Sequence, residues 1–241
     1  MKCQVNKMVF AAIMAGGTGT RMGAEIPKQY LPLCGIPVLM RTVEKFINSP
    51  TVKKTVVLCP AEWVEETRRM AKEYLPGSEG KLAVTAGGSS RNATLEKSVA
   101  FVQREFGAAD TDVLITHDGV RPFLTEHMIA ENAAVAAKFG ACNTVIPATD
   151  TLVISRDGRF VTETPDRSLY YHSQTPQSFV IGQAKACLDA LTGAQREKLT
   201  DACMLFTLNG RAVATVEGDP KNIKLTRPSD MRIGELFLND K

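Results

Sequence analysis

Short apolar runs alternate along this chain with longer amphipathic runs, and this alternation limits the possible folds more than any other feature. Residues 8–15, 55–59 and 113–116 form short apolar runs, while residues 37–48 and 91–106 carry apolar side chains at helical spacing. Such an order predicts a doubly wound, Rossmann-like α/β fold, in which a mostly parallel sheet has helices on both faces. Ligands of these sheets bind at the carboxyl ends of the strands.

The pattern changes after Pro147, where a β-hairpin is predicted. Residues 151–154 and 159–162 flank Asp157-Gly158, and the glycine supplies the positive φ that a tight hairpin turn requires. We therefore expect a β-hairpin arm at about residues 149–164, inserted in a single domain that spans residues 1–241. The sequence then predicts a strand at residues 178–181 and helices at residues 183–191 and 197–208. A strand at residues 212–216 and a last helix at residues 228–238 complete the chain's predicted elements.

Charge and cysteine usage exclude several classes of protein. The formal net charge of +3 on 241 residues is too small for a nucleic-acid-binding surface. No run reaches the ~18 apolar residues of a membrane helix, and residues 8–15 are interpreted as a buried strand although they imitate a signal peptide. The 6 cysteines are scattered without a zinc-ligand spacing, which is typical of a reducing compartment. We expect a cytoplasmic protein that binds neither membrane nor nucleic acid.

A glycine-rich loop directly follows the first predicted strand: Ala15-Gly16-Gly17-Thr18-Gly19-Thr20-Arg21-Met22. Glycines allow backbone N–H groups to surround an anion, so the loop predicts a phosphate site, with a plain tight turn as the alternative. A P-loop is excluded because no Lys-Ser/Thr pair follows, and the dinucleotide fingerprint fails because Met22 occupies the position of its last glycine. Arg21 and Lys28 supply cations that suit a triphosphate, whose charge grows on the leaving group.

Short motifs continue in order along the chain: Pro27-Lys28-Gln29-Tyr30-Leu31, Gly87-Gly88-x-x-Arg91, His117-Asp118-x-x-Arg121-Pro122, Gln174-Thr175-Pro176-Gln177 and Asn222-Ile223-Lys224. Together with the glycine loop, they resemble the sugar- and polyol-phosphate cytidylyltransferases over nearly the whole chain. The resemblance implies a nucleotidyltransferase fold and an enzyme that transfers CMP from CTP to a polyol phosphate, releasing pyrophosphate. It also implies Mg²⁺ as cofactor and a homodimer in which the arm completes the partner's acceptor site.

The resemblance also implies roles for individual residues. The expected catalytic residues are Arg21, Lys28 and Lys224. The expected CTP-binding residues are Ala15, Gly16, Gly17, Gly19, Gly88, Thr94, Asp118 and Gly119, with Gly88 and Thr94 at the cytosine. The expected acceptor-binding residues are Arg121, Thr151, Arg167 and Thr175, of which Thr151 and Arg167 would act from the arm. Asp118 would bind Mg²⁺, directly or indirectly.

Differences within the family indicate the acceptor. Methylerythritol-phosphate enzymes commonly have Ala-Ala-Gly in the loop, Ala before the motif arginine and a later acidic pair; this chain has Gly16-Gly17, Val120 and Thr200-Asp201. These differences favour ribitol 5-phosphate. The segment after Lys224 resembles the methylerythritol enzymes, so 2-C-methyl-D-erythritol 4-phosphate is the alternative. A non-catalytic nucleotide-binding regulator is a further alternative, which the cations of the glycine loop disfavour, and a Rossmann dehydrogenase is a weaker one.

Overall fold

The structure, a computed structural model, describes residues 7–17 and 26–239. Its strands are β1 (Val9–Met14), β2 (Pro32–Leu33), β3 (Ile36–Pro37), β4 (Lys54–Cys59), β5 (Leu82–Ala86), β6 (Val113–Asp118), β7 (Ala141–Pro147), β8 (Tyr171–Val180) and β9 (Ala214–Glu217). Its helices are α1 (Val38–Asn48), α2 (Val64–Tyr74), α3 (Arg91–Phe106), α4 (Glu126–Phe139), α5 (Ile181–Ala190), α6 (Gly193–Lys198), α7 (Met204–Thr207) and α8 (Pro228–Asn239). In this part of the chain no helix is both long and apolar enough to cross a membrane.

The main sheet of the described residues has seven strands in the order β5-β4-β1-β6-β8-β7-β9. β8 runs antiparallel to β6 and β7, while the other neighbouring strands are parallel. This mostly parallel arrangement confirms the predicted fold class. β1 and β6 pair in register from Val9 with Val113 to Met14 with Asp118, so their carboxyl ends lie side by side.

Helices cover both faces of the sheet, as a doubly wound fold requires. Along β1, Ala11 and Ile13 belong to one core cluster and Phe10 and Ala12 to the other, and all of these side chains are fully buried. α1 and α4 contribute to the first cluster, and α3 and α5 to the second. A strand that is buried on both sides is apolar throughout, which explains the continuous apolar run at residues 8–15.

The C-terminal half departs from the predicted elements. The strand predicted at residues 178–181 is the end of the longer β8, whose Gln174 and Gln177 are buried and hydrogen-bonded. Because these polar residues interrupt the apolar pattern, hydrophobic periodicity does not reveal this part of the buried strand. The single helix predicted at residues 197–208 is also wrong, because the chain divides there into α6 and α7. Between them, the Asp201 carboxylate accepts a hydrogen bond from the Met204 N–H (2.8 Å), a local contact that competes with a continuous helix.

The arm, at about residues 149–164, is an exposed segment with little strand pairing. Its turn agrees with the prediction, since Gly158 has a φ of +71° and the Asp157 carboxylate accepts hydrogen bonds from two N–H groups of the turn (2.9 and 3.1 Å). The pairing is limited to an isolated bridge between Ile154 and Glu163, so the two full strands predicted are not formed. A lone hairpin is marginally stable in water, and here nothing in the described chain covers it.

Candidate active site

A cavity of about 390 Å³ lies at the carboxyl ends of β1 and β6, beside the first turn of α3. It brings together residues that the sequence assigned to CTP binding: Ala15, Gly16, Gly17, Gly88, Thr94 and Asp118. Lys28 and Lys224, assigned to catalysis, line the same cavity. Gly19 and Arg21 lie outside the described residues. Segments that are distant in sequence therefore meet at the sheet edge where doubly wound folds bind their ligands.

The start of the glycine loop is held by the sheet and by a buried side chain. The Ala15 N–H donates to the Leu58 carbonyl (2.8 Å), and the Gln29 side-chain amide donates to the Ala15 carbonyl (2.7 Å). Gly16 and Gly17 follow at the cavity, and a Cβ on either residue would meet no atom of the described residues within 4 Å. Small residues in open space allow a phosphate group to approach the backbone closely.

Lys28 reaches the cavity from a turn that is anchored in the core. This single turn of 3₁₀ helix, Lys28–Tyr30, buries Gln29 and Tyr30. The Tyr30 ring stacks on Trp63 with centroids 4.3 Å apart, and its hydroxyl shares a hydrogen bond with Thr67 (2.8 Å). The turn therefore places Lys28 beside the glycine loop. The sequence did not point to Gln29, because a polar residue between a lysine and a tyrosine carries no local sign of burial.

Gly88 and Thr94, which the sequence assigned to the cytosine, are hydrogen-bonded to each other. The Gly88 N–H donates to the Thr94 hydroxyl (3.0 Å), and that hydroxyl donates to the Ser90 carbonyl (2.8 Å). A Cβ on Gly88 would lie 2.5 Å from the Cβ of Ala93, so the close approach of this loop to α3 requires glycine. The loop thus delivers the N-terminus of a helix to the cavity, and helix N-termini favour bound phosphate.

Asp118 is the centre of a charged cluster at the cavity. Its carboxylate lies 2.9 Å from Lys224 Nζ, 3.3 Å from the Arg91 guanidinium and 3.4 Å from that of Arg121. Burial raises the pKa of Asp118, but the charges of Lys224, Arg91 and Arg121 outweigh burial and hold that pKa well below its usual range. The Thr175 hydroxyl accepts a hydrogen bond from the Asp118 N–H (3.1 Å). Asp118 is therefore ionised and holds these cations in place.

The cavity has an excess of positive charge. Lys28, Arg91 and Lys224 line it, and Asp118 is the acidic member of its described lining. This balance attracts a polyphosphate. Arg91 belongs to the Gly87-Gly88-x-x-Arg91 motif but had no expected role. The signal in the sequence was a cation at the start of a helix that follows a strand end.

Other residues assigned from the sequence lie behind the cavity. The Gly119 N–H donates to the Met14 carbonyl (2.9 Å), and a Cβ on Gly119 would lie 2.9 Å from Leu39. The Arg121 guanidinium donates to the Asn222 carbonyl (2.7 Å), and Thr175 is buried. Gly119 therefore contacts Met14, and Arg121 and Thr175 contact Asp118, and both Met14 and Asp118 line the cavity.

Thr151 and Arg167 lie on or beside the arm, outside the group of described residues that line the cavity. Arg167 is exposed, and its guanidinium donates to the Thr149 carbonyl (2.7 Å). Within one chain, the structure therefore does not bring these residues to the cavity.

Lys224 lies in the loop between β9 and α8, because β9 ends at Glu217. The chain turns at Asp219, whose carboxylate accepts a hydrogen bond from the Lys221 N–H (2.7 Å) and whose carbonyl accepts one from the Asn222 N–H (2.9 Å). After this turn, Lys224 meets Asp118 of β6.

His117, the residue before Asp118, is buried in the core. Its Nε2 shares a hydrogen bond with the Arg121 carbonyl (3.0 Å), and its ring lies 5.2 Å from that of Phe46, centroid to centroid. Burial lowers the pKa of His117 to about 4, so the ring is neutral at pH 7.

The side chains that could bind a metal ion determine which ion the cavity suits. The described residues contain no group of three or more His, Cys, Asp or Glu side chains that could hold a metal. Mg²⁺ commonly binds one or two carboxylates together with phosphate oxygens and water. The Asp118 carboxylate therefore fits a Mg²⁺ ion that is held mainly by a bound triphosphate.

The chain is similar to one family over almost its whole length. A family model described as IspD, 2-C-methyl-D-erythritol 4-phosphate cytidylyltransferase, matches residues 9–240. A 4-diphosphocytidyl-2C-methyl-D-erythritol synthase from Anaerococcus prevotii DSM 20548 has a TM-score of 0.80 and 25% identity, covering 97% of this chain and 96% of that one. A second structure with that synthase name has a TM-score of 0.78 and 26% identity, covering 97% and 99%. The Francisella tularensis 2-C-methyl-D-erythritol 4-phosphate cytidylyltransferase shares the fold, with a TM-score of 0.77 and 24% identity over 95% and 99%.

Proposed function

Because the chain belongs to the IspD family and is therefore a CTP-dependent cytidylyltransferase, we propose that its acceptor is 2-C-methyl-D-erythritol 4-phosphate. The reaction would transfer CMP from CTP to the acceptor phosphate and release pyrophosphate. The family match over residues 9–240 carries this proposal, supported by the names of the structures at 25% and 26% identity. These relatives favour the alternative acceptor over ribitol 5-phosphate, which the sequence analysis preferred.

Two of the differences that favoured ribitol 5-phosphate also have roles in packing. Asp201 bonds to the backbone of α7, and Val120, although it lines the cavity, packs with Leu33, Val38 and Leu225. Side chains with such roles respond to the surrounding core as well as to a substrate. They therefore carry less weight in the choice of acceptor than the family match over residues 9–240.

The cationic cavity supports this chemistry without a general base. A phosphate monoester has a second pKa of about 6, so the acceptor is mostly dianionic at pH 7 and attacks the α-phosphorus of CTP without prior deprotonation. The obstacle is the repulsion between two anions, which Lys28, Arg91 and Lys224 would offset by their charge. Arg21 is proposed as a further cation at the leaving pyrophosphate.

The proposed placement of CTP follows from the same residues. The triphosphate would lie against Gly16 and Gly17 with Lys28 beside it, and the cytosine against Gly88 and Thr94. A Mg²⁺ ion bound with the triphosphate, with Asp118 as protein ligand, would neutralise part of the phosphate charge.

Pyrophosphate release with CTP over a panel of polyol phosphates tests the proposal. We expect 2-C-methyl-D-erythritol 4-phosphate to have the highest kcat/KM, with ribitol 5-phosphate next in the panel. A higher kcat/KM with ribitol 5-phosphate would reverse the choice of acceptor. CTP binding without release for any acceptor would instead indicate a nucleotide-binding regulator.

The choice of nucleotide is a second prediction. CTP is expected to be used in preference to UTP and ATP. Gly88 packs closely against α3, and the base site proposed beside it would accommodate a pyrimidine but not a larger purine. A carbonyl there would accept a hydrogen bond from the cytosine amine, and the mismatch with uracil would cost about 1–3 kcal/mol, or about 5- to 150-fold in kcat/KM. The specificity constants of the three nucleotides, measured with one acceptor, check this. Equal use of UTP contradicts the assignment of Gly88 and Thr94 to the base.

The arm supports the proposal of a homodimer. It and the segment that follows expose large apolar side chains: Val153, Ile154, Phe160, Val161, Leu169, Tyr170 and Tyr171. Phe160 is 71% exposed and Leu169 is 77% exposed, which is unusual for side chains of this size that lie together in sequence. A second copy of the chain would cover them, and Thr151 and Arg167 would then act at the partner's acceptor site.

Complementation between inactive variants tests this arrangement. Arg167→Ala and Lys28→Met, each nearly inactive alone, are expected to regain about a quarter of wild-type activity when mixed. Random pairing makes about half of the dimers mixed, and one of the two sites in each mixed dimer is intact. Mass spectrometry monitors subunit exchange. If subunits exchange and no activity returns, Arg167 does not act across the interface.

A further inference from the structure

The side chains of Gln174 and Asn222, which the proposed reaction leaves without a role, meet in the core. Gln174 is 5% exposed and Asn222 is fully buried. The Asn222 side-chain amide donates to Gln174 Oε1 (3.2 Å) and to the Thr175 carbonyl (2.8 Å). The Gln174 amide in turn donates to the Asp219 carbonyl (2.9 Å). We call Gln174 and Asn222, with these hydrogen bonds, the amide clamp.

The amide clamp joins the loop that carries Lys224 to the central sheet. Asp219 and Asn222 belong to the loop between β9 and α8, whereas Gln174 belongs to β8. Residues 218–227 belong to no strand or helix, so side-chain hydrogen bonds provide much of the contact between this loop and the rest of the protein. The clamp therefore fixes this loop from the side of β8.

The clamp lies next to the charged cluster around Asp118. The Asn222 carbonyl accepts the hydrogen bond from Arg121 (2.7 Å), and Lys224, two residues further on, has its Nζ 2.9 Å from Asp118. On the other side of Lys224, the Leu225 N–H donates to the Val120 carbonyl (2.9 Å). Lys224 is thus held between two attachments, of which the clamp is one.

We infer that the amide clamp is a positioning device that sets Lys224, and through the Asn222 carbonyl also Arg121, against Asp118 for the transfer reaction. Gln174 and Asn222 contact protein groups, so both are positioning residues. The inference rests on the proposed function for its kinetic effect, because the position of a cation matters when charge moves between phosphates. A displacement of about 1 Å in a positioned group lowers a rate by about 100-fold.

The first test compares clamp variants with a buried amide of the same strand. Gln174→Met keeps the length of the side chain and Asn222→Ala removes the amide; each is expected to lower kcat about 10- to 100-fold with a smaller change in the KM for CTP. The matched control is Gln177→Ala. Gln177 is 1% exposed and bonds to Asn143, Ser173 and Ala202, which do not belong to the loop of Lys224. It should lower Tm and leave the kcat of the folded enzyme unchanged.

The second test asks whether the clamp acts through Lys224. In a Lys224→Met background, Gln174→Met is expected to lower kcat much less than it does in the wild type, because only its effect through Arg121 remains. The full loss of kcat in that background, or an equal loss in Gln177→Ala, overturns the inference.

The third test needs no substrate. An amine-acetylating reagent and mass spectrometry measure the reactivity of Lys224 in the folded protein, with the exposed Lys138 as internal reference. Gln174→Met and Asn222→Ala should raise the reactivity of Lys224, whereas Gln177→Ala should not, and unchanged reactivity in both clamp variants overturns the inference. If wild type turns over no polyol phosphate, the proposed function fails and this measurement still decides on the clamp.

Discussion

Lys28→Met is expected to lower kcat about 10²–10³-fold and to leave the fold intact. Lys28 lines the cavity beside Gly16 and Gly17, where the charge of the leaving pyrophosphate would develop. The loss of one well-placed donor from such a site raises a barrier by about 3–4 kcal/mol. The fold is expected to persist because the turn is anchored by Gln29 and Tyr30, and methionine keeps the aliphatic length of lysine. Pyrophosphate release at saturating CTP measures the effect.

Lys138→Met is the control for this variant. Lys138 is an exposed lysine in the last turn of α4, near Ala137, whose carbonyl accepts a hydrogen bond from Lys7 just before β1. It therefore lies at the opposite edge of the sheet from the cavity. We expect wild-type turnover for Lys138→Met, and near-normal turnover for Lys28→Met would remove Lys28 from the mechanism.

Asp118→Asn is expected to reduce both activity and stability, since it removes the anion that holds Lys224, Arg91 and Arg121 together. Removing one partner of a buried ion pair costs about 3–5 kcal/mol. Because the Arg91 and Lys224 side chains are 40% and 35% exposed and water screens them, we expect about 2–3 kcal/mol here. The released cations would no longer meet the phosphates in one geometry, so kcat should fall at least about 100-fold. Urea unfolding and pyrophosphate release measure these losses.

Asp110→Asn is the matched control, because it also removes a carboxylate beside a lysine. The Asp110 carboxylate lies 3.3 Å from Lys185 Nζ, but the side chain of Asp110 is 61% exposed and that of Lys185 is 42% exposed. Exposed pairs contribute about 0–1 kcal/mol, so neither stability nor turnover should change greatly. If Asp118→Asn were as mild as this control, the charged cluster would have no structural role.

The parts of the fold that could be predicted from the sequence are those set by local patterns. β1 and α3 were predicted from an apolar run and a helical stripe, and the turn of the arm from Asp157-Gly158. The two halves of that arm were predicted as full strands, yet only Ile154 and Glu163 form a bridge. A hairpin's pairing depends on what covers it, and an amino-acid pattern of a dozen residues does not contain that information.

The candidate site was predictable where a motif carries its own chemistry. Gly16, Gly17 and Lys28 could be assigned because a glycine loop followed by cations has a local physical meaning for phosphate. Gln29 received no role, although its buried side-chain amide donates to the Ala15 carbonyl of the glycine loop. Arg91 received none either, although it lines the cavity beside Asp118. Burial explains the role of Gln29 and a contact between distant segments that of Arg91, and neither leaves a periodic trace in the sequence.

The sequence by itself determined the fold class, and it predicted a ligand site at the carboxyl ends of the strands and a phosphate site at the first loop. Each of these depends on periodicity or turn chemistry within a few residues. Only the tertiary structure decided which charges meet. The register of β1 with β6 places Met14 beside Asp118, and hydrogen bonds join Arg121 to Asn222, 101 residues away, and Asn222 to Gln174, 48 residues away. Contacts over such separations form only when the packed layers bring distant segments together, so no local pattern encodes them.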